Sequence, residues 1–149
     1  MATRVADRVL LDTNVLLAAT DKRRIEYERA QEALNVWPAR GTTLYTSGQI
    51  LREYLSVATR PVERNGLGLS QGDAVANVRA LGVRLRLLPE NEKVLARLLE
   101  LLGGVDCAGK QVHDANLVAT MLIHGIDTLV TLNISDLKRF TPFVDVVRL

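Results

Sequence analysis

Short apolar runs alternate with longer segments of helical period along the whole chain, and this alternation constrains the fold more than any other feature. The apolar or alternating runs are Val9 to Leu11, Thr43 to Thr46, Arg84 to Leu88, Thr128 to Leu132 and Val144 to Arg148. Between them, Val15 to Ala19, Ile25 to Trp37, Ser47 to Ala58, Ser70 to Leu81, Glu90 to Leu102, Lys110 to His124 and Ile134 to Phe140 carry apolar residues at helical spacing. Pro38 and Gly41 stop the second of these helices, and Gly103-Gly104 the fifth. Strands separated by helices cannot pair through hairpins. They require crossover connections, which predict an α/β fold with a mainly parallel sheet of five strands and helices on both faces.

The 149 residues carry no repeat, linker or charge block that would divide them, so one domain over 1–149 is expected. Residues 1–74 hold ten basic and nine acidic side chains, and residues 75–149 nine and eight, so neither half is an acidic or basic lobe. With 24% charged and 48% hydrophobic residues, a disordered chain is excluded. No apolar stretch approaches the roughly 18 residues of a membrane helix, and the N-terminus does not read as a signal peptide, which predicts a cytoplasmic protein. The single cysteine, Cys107, has no partner for an internal disulfide and no neighbours at zinc-ligand spacing.

In open parallel sheets, ligands bind beyond the carboxyl ends of the strands. Asp12 follows the first strand and Asp136 the fourth. Asp114 opens the long central helix, where the helix dipole favours a carboxylate. Glu53 lies roughly 40° beyond the edge of the apolar stripe on its helix, which permits a place at the rim without demanding one. Each has another use when taken alone. Asp12 serves equally well as a helix cap, Glu53 as a solvated residue, Asp114 as an ordinary first-turn acid, and Asp136 as part of a capping arrangement with Asn133. Together they predict one acidic rim. Crowded carboxylates must protonate or acquire a cation, and oxygen ligands without Cys or a dependable His suit Mg²⁺ or Mn²⁺. Such ions support hydrolysis of a phosphodiester.

The same residues carry a resemblance. Leu10-Leu11-Asp12-Thr13-Asn14-Val15-Leu16-Leu17, Gln49-Ile50-Leu51-Arg52-Glu53-Tyr54, His113-Asp114-Ala115 and Thr131-Leu132-Asn133-Ile134-Ser135-Asp136-Leu137 resemble, in order, the four motifs of PIN-domain ribonucleases. The length, the His-Asp-Ala form and the Asn-x-x-Asp form look most like VapC-type toxins of bacterial toxin–antitoxin pairs. The resemblance spans essentially the whole chain. It implies strand order 3-2-1-4-5, a Mg²⁺- or Mn²⁺-dependent endoribonuclease, a homodimer and a cognate antitoxin. Asp12, Glu53 and Asp114 match the near-invariant acids, and Asp136 the more variable fourth position, which Asn133 fills instead in some members. The metal would be held by Asp12 and Asp114. Thr13 and Thr131 match small polar positions beside the site, and Asn14 a position that orients the first acid. Leu137 departs from the Phe common there, and Asn116 matches no position with a clear role.

An RNA partner requires basic residues near the acids. Arg52, Lys110, Lys138 and Arg139 lie closest in sequence and are the expected phosphate contacts, although each also reads as ordinary surface charge. The run Lys22-Arg23-Arg24 either meets RNA or solvates a loop. Tyr27, Trp37 and Tyr54 are open to two readings, an antitoxin groove or the core. Two other classes also fit an Asp after the first strand. One is an Asp-dependent phosphatase or phosphotransfer domain, against which Asn14 counts, since such phosphatases place an Asp there. The other is a non-catalytic binding module whose acids merely cap helices.

Overall fold

A computed structural model describes residues 6–149. Its five strands are β1 (Arg8–Leu11), β2 (Thr43–Ser47), β3 (Arg86–Leu88), β4 (Thr128–Thr131) and β5 (Asp145–Arg148). They form one sheet in the order β3-β2-β1-β4-β5, and all four pairings are parallel. The helices are α1 (Thr13–Ala19), α2 (Tyr27–Asn35), α3 (Gly48–Ala58), α4 (Gln71–Arg84), α5 (Glu92–Gly104) and α6 (Gln111–His124). Three 3₁₀ turns, Pro38–Arg40, Val62–Arg64 and Ser135–Phe140, complete the elements of the described residues.

The strand order fixes where the helices lie. Moving outward from β1 to β2 to β3 with right-handed crossovers sets α1 to α4 on one face. The return past β1 to β4 sets α5 and α6 on the other. Accordingly α1 packs on α2 and α3, α3 packs on α4, and α5 packs on α6. The central strands are covered on both faces, so β1 and β4 are buried in consecutive positions rather than in alternate ones. Val9, Leu10 and Leu11 are fully buried, as is Leu129. The chain reverses direction at this point, β2 and β4 leaving β1 on opposite sides, and the carboxyl ends of β1 and β4 meet there. The Asp12 amide donates to the Val130 carbonyl at 2.9 Å, so the first acid is held directly beside β4.

Several boundaries differ from the sequence expectation, each for a physical reason. α4 runs on to Arg84, leaving β3 only three residues. Leu81 and Leu85 are buried four residues apart, which satisfies a helix. The basic–apolar alternation Arg84-Leu85-Arg86-Leu87 begins on the last residue of α4 and passes through its extended C-cap Leu85 into β3, so the strand reads as starting too early. α5 takes in Gly103 and Gly104 as its exposed last residues and ends there, two residues beyond Leu102, with the Val105 amide donating to the Leu101 carbonyl. α2 begins at Tyr27 rather than Ile25, which is 96% exposed and anchors nothing. Ser135–Phe140 is a 3₁₀ rather than an α-helix. Its two buried residues, Leu137 and Phe140, are three apart, matching three residues per turn. Leu137 thus fills an interior position, so its departure from Phe bears on packing.

Candidate active site

Asp12 is the N-cap of α1, but its side chain caps only partly. Oδ1 accepts the Thr13 amide at 2.7 Å, while Oδ2 turns to the neighbouring strand and accepts the Thr131 hydroxyl at 2.9 Å. Thr131 is fully buried, and its hydroxyl is saturated. Besides donating to Asp12, it accepts the Asn14 side-chain amide at 3.1 Å and the Asn133 backbone amide at 3.0 Å. Asn14 also accepts the Leu132 amide at 3.1 Å. Asn14 therefore orients the first acid indirectly, by fixing the end of β4 and the Thr131 hydroxyl. Both ends of its amide are engaged there.

Glu53 is half-buried on α3, and both of its oxygens are occupied. Oε2 accepts the Thr13 hydroxyl and Oε1 the Gln49 amide, each at 2.9 Å. The reading of Glu53 as a freely solvated helix residue therefore fails. Asp114, half-buried in the first turn of α6, differs: no donor among the described residues reaches its carboxylate. Asp136 is exposed and accepts the Asn133 side chain. That bond joins side chain to side chain, so Asn133 is not capping the backbone of the turn.

The four acids feel one another. The Asp114 carboxyl is pushed up from 3.8 to about 6, first by burial and then by the negative charges of Asp12, Glu53 and Asp136, with Arg139 opposing. Burial likewise raises Asp12. The Thr131 hydroxyl and the Thr13 amide pull it back, and Glu53 and Asp136 push it further up. The expected rim is therefore one electrostatic unit that carries more negative charge than its surroundings neutralise.

Arg139 acts on an acid of the rim, opposing the rise of Asp114. It is half-buried, and its guanidinium also donates to the Asp106 carbonyl at 2.7 Å, bracing the loop before α6. Lys110 and Lys138 are exposed. Arg52 is drawn to Glu90 at 3.6 Å, and Glu90 in turn accepts the Gln49 backbone amide at 3.0 Å. Arg148, not singled out from the sequence, lies in register with Thr131 at the same end of the sheet and donates to the Leu132 carbonyl at 3.4 Å. Arg23 and Arg24 both bind the buried Asp21, at 2.8 and 3.3 Å, so they stabilise their own loop. Tyr54 is excluded from any groove. It is fully buried, bonded to Thr20 at 2.8 Å and to Asn77 at 3.0 Å.

Two side chains at the site lacked a role in the sequence reading. Gln49, 6% exposed, donates to Glu53 and to the His113 carbonyl, and accepts the Asn116 amide at 2.7 Å. Its position four residues before Glu53 on a helix was a usable signal. The pairing with Asn116 was not, because it joins two helices 67 residues apart.

Among the described residues, no three His, Cys, Asp or Glu side chains form a ready-made cage for an ion. The donor set nonetheless fits Mg²⁺ or Mn²⁺. It is all oxygen, it carries surplus negative charge, and it includes an undonated carboxylate beside Asp12. Mg²⁺ takes one or two protein carboxylates and fills its remaining positions with water and phosphate oxygens.

The sequence model of the PIN domain matches residues 9–140, which include all four acids. The chain belongs to the PIN domain family. Among solved structures it is similar to VapBC2 from Rickettsia felis bound to a promoter DNA fragment. The TM-score is 0.68 at 20% identity, covering 95% of this chain and 98% of the other. It is also similar to VapC20 of Mycobacterium tuberculosis, described as a sarcin–ricin loop cleaving toxin, with a TM-score of 0.67 at 19% identity over 92% and 97% of the two chains. FitAcB from Neisseria gonorrhoeae follows at 0.62 and 20%, over 93% and 96%. At these identities the likeness establishes the fold. No curated protein sequence matches the chain.

Proposed function

We propose that this PIN domain is a metal-dependent endoribonuclease and the toxin of a bacterial toxin–antitoxin pair. The observation that carries the chemistry is the coupling of Asp12, Glu53, Asp114 and Asp136 at the carboxyl ends of β1 and β4. The toxin role is supported by full-length likeness to VapC and FitAB structures, several of them complexes with an antitoxin. RNA is the substrate, an antitoxin protein the regulator and a homodimer the assembly in this reading. It takes residues 1–149 as one domain acting in the cytoplasm. Among the described residues no helix is long and apolar enough to cross a membrane.

Asp12 and Asp114 are the residues that would hold Mg²⁺ or Mn²⁺. When bound, the ion neutralises the acids and lowers the pKa of a water for attack on a backbone phosphate. Thr131 and the Thr13 amide hold Asp12 in one orientation, so little rearrangement is required on binding. Thr13 and Gln49 hold both oxygens of Glu53, which fixes the place of its carboxylate in the site. Arg139, with Lys110, Lys138 and Arg52, supplies positive charge for the RNA backbone. The test is cleavage of a labelled RNA by purified protein with Mn²⁺ and then with chelator. Wild type should cut only with the ion, and Asp12→Asn should fold and not cut. Full activity in a folded Asp12→Asn protein removes the proposal.

A further inference from the structure

Glu53 is the one acid of the four whose two oxygens are each held by a neutral side chain, Thr13 on one and Gln49 on the other. Gln49 does more than hold Glu53. One amide nitrogen serves two acceptors, Glu53 Oε1 at 2.9 Å and the His113 carbonyl at 2.8 Å, and the amide oxygen accepts the Asn116 Nδ2 at 2.7 Å. His113 and Asn116 flank Asp114 in the first turns of α6. We propose that Gln49 is the positioning residue of the acidic site, one side chain that sets Glu53 on α3 against the turn of α6 carrying Asp114. The proposal rests on the nuclease reading for its effect on rate, and on the hydrogen bonds alone for its geometry.

Three observations favour this over a buried amide that merely satisfies itself. An apolar side chain would fill the contact between α3 and α6 without adding polar atoms that burial penalises, so the amide costs more than packing requires. Its donors are neutral. A Lys or Arg would hold Glu53 more tightly but cancel the charge that the site needs. Finally, the amide has a direction. Asn116 presents a donor to the Gln49 oxygen, while Glu53 and the His113 carbonyl accept from its NH₂, and the three partners agree on one orientation. A reversed amide would set oxygen against two acceptors at under 3 Å. Asn116 therefore reinforces the orientation that Glu53 and the His113 carbonyl already favour.

The direction makes the proposal testable through Asn116 as well as through Gln49. Gln49→Leu removes the clamp. Asn116→Leu removes the polarity signal but leaves two acceptors that still favour the present orientation. Asn116→Asp replaces a donor with an acceptor, which competes with Glu53 for the Gln49 NH₂. Each variant is assayed for kcat and KM on one RNA and for thermal melting. The ¹⁵N–¹H side-chain amide pair of Gln49 is followed in the ion-free protein. The wild-type pair should exchange slowly with solvent, as a buried amide does. Gln49→Leu and Asn116→Asp should lose roughly 10- to 100-fold in kcat with little change in KM, and Asn116→Leu markedly less. Asn116→Asp should also shift the Gln49 pair.

A folded Gln49→Leu protein with wild-type kcat overturns the proposal, as does an Asn116→Asp protein indistinguishable from Asn116→Leu. If Gln49→Leu does not fold, the two Asn116 variants decide. A Gln49 amide that exchanges freely refutes the geometry whatever the activity. Wild-type protein that cleaves no RNA while keeping a protected Gln49 amide refutes the nuclease reading instead.

Discussion

Removing the charge of Asp114 should stabilise the ion-free protein. Its carboxyl sits at about 6 in the fold against an ordinary 3.8, so between those values the folded state holds a proton that the unfolded chain has released. Stability contributed by this group therefore falls as pH rises through that window, and the full cost is present above about pH 6. Fully counted, the rise corresponds to about 3 kcal/mol, but the side chain is about half exposed and solvent screens it, which leaves about 1–2 kcal/mol. The helix terminus works the other way, favouring a first-turn carboxylate by about 0.3–1 kcal/mol. Burial and three like charges outweigh it. Asp114→Asn should thus raise the melting temperature of ion-free protein at pH 7.5 by about 2–4 °C, and the gain should vanish near pH 4, where both forms are neutral. Saturating Mn²⁺ should reverse the order, since an ion at 100 times its Kd stabilises only the protein that binds it, by about 2.7 kcal/mol. Calorimetry at the two pH values, with and without ion, measures all three effects. A variant less stable than wild type at pH 7.5 without ion would refute the reasoning, and so would a gain that persists at pH 4.

Other outcomes follow from the same geometry. Thr131→Val keeps the shape but leaves Asp12, Asn14 and the Asn133 amide without their shared hydroxyl. It should cost about 1–3 kcal/mol in denaturant melts and reduce cleavage together with stability. Arg139→Ala should weaken RNA binding more than Arg52→Ala does, because Arg52 already has Glu90 as a partner while Arg139 acts on Asp114. Binding measured by fluorescence anisotropy at two salt concentrations separates them, and equal losses would show that the ion pair does not restrain Arg52.

How much could be read from the sequence depended on whether the signal was local. β1 was legible because an apolar run ends abruptly in Asp-Thr-Asn, and α6 because its apolar residues nearly encircle it. The end of α4 was not, since an exposed helical turn and a half-buried edge strand both alternate basic with apolar residues. Within the site, the acids were found by their places relative to strands. Their supports were harder to see, because Thr131 to Asp12 and Gln49 to Asn116 are contacts made only when distant elements meet. Tyr54 is a similar case. Its aromatic ring left a groove and the core both open, and the structure decides for the core, with its hydroxyl joining Thr20 and Asn77. The near-balance of 19 basic and 17 acidic side chains likewise conceals an acidic site in a mildly basic body.

The central claim is that the coupled acids direct a water, rather than a ribose hydroxyl, at an RNA phosphate. Mass spectrometry of RNA fragments produced in ¹⁸O-labelled water with Mn²⁺ tests it most directly. Wild type should yield fragments bearing a terminal phosphate with one ¹⁸O and no 2′,3′-cyclic phosphate, and Asp114→Asn should yield none. Cyclic phosphate ends without label, or labelled fragments from Asp114→Asn at the wild-type rate, would contradict it.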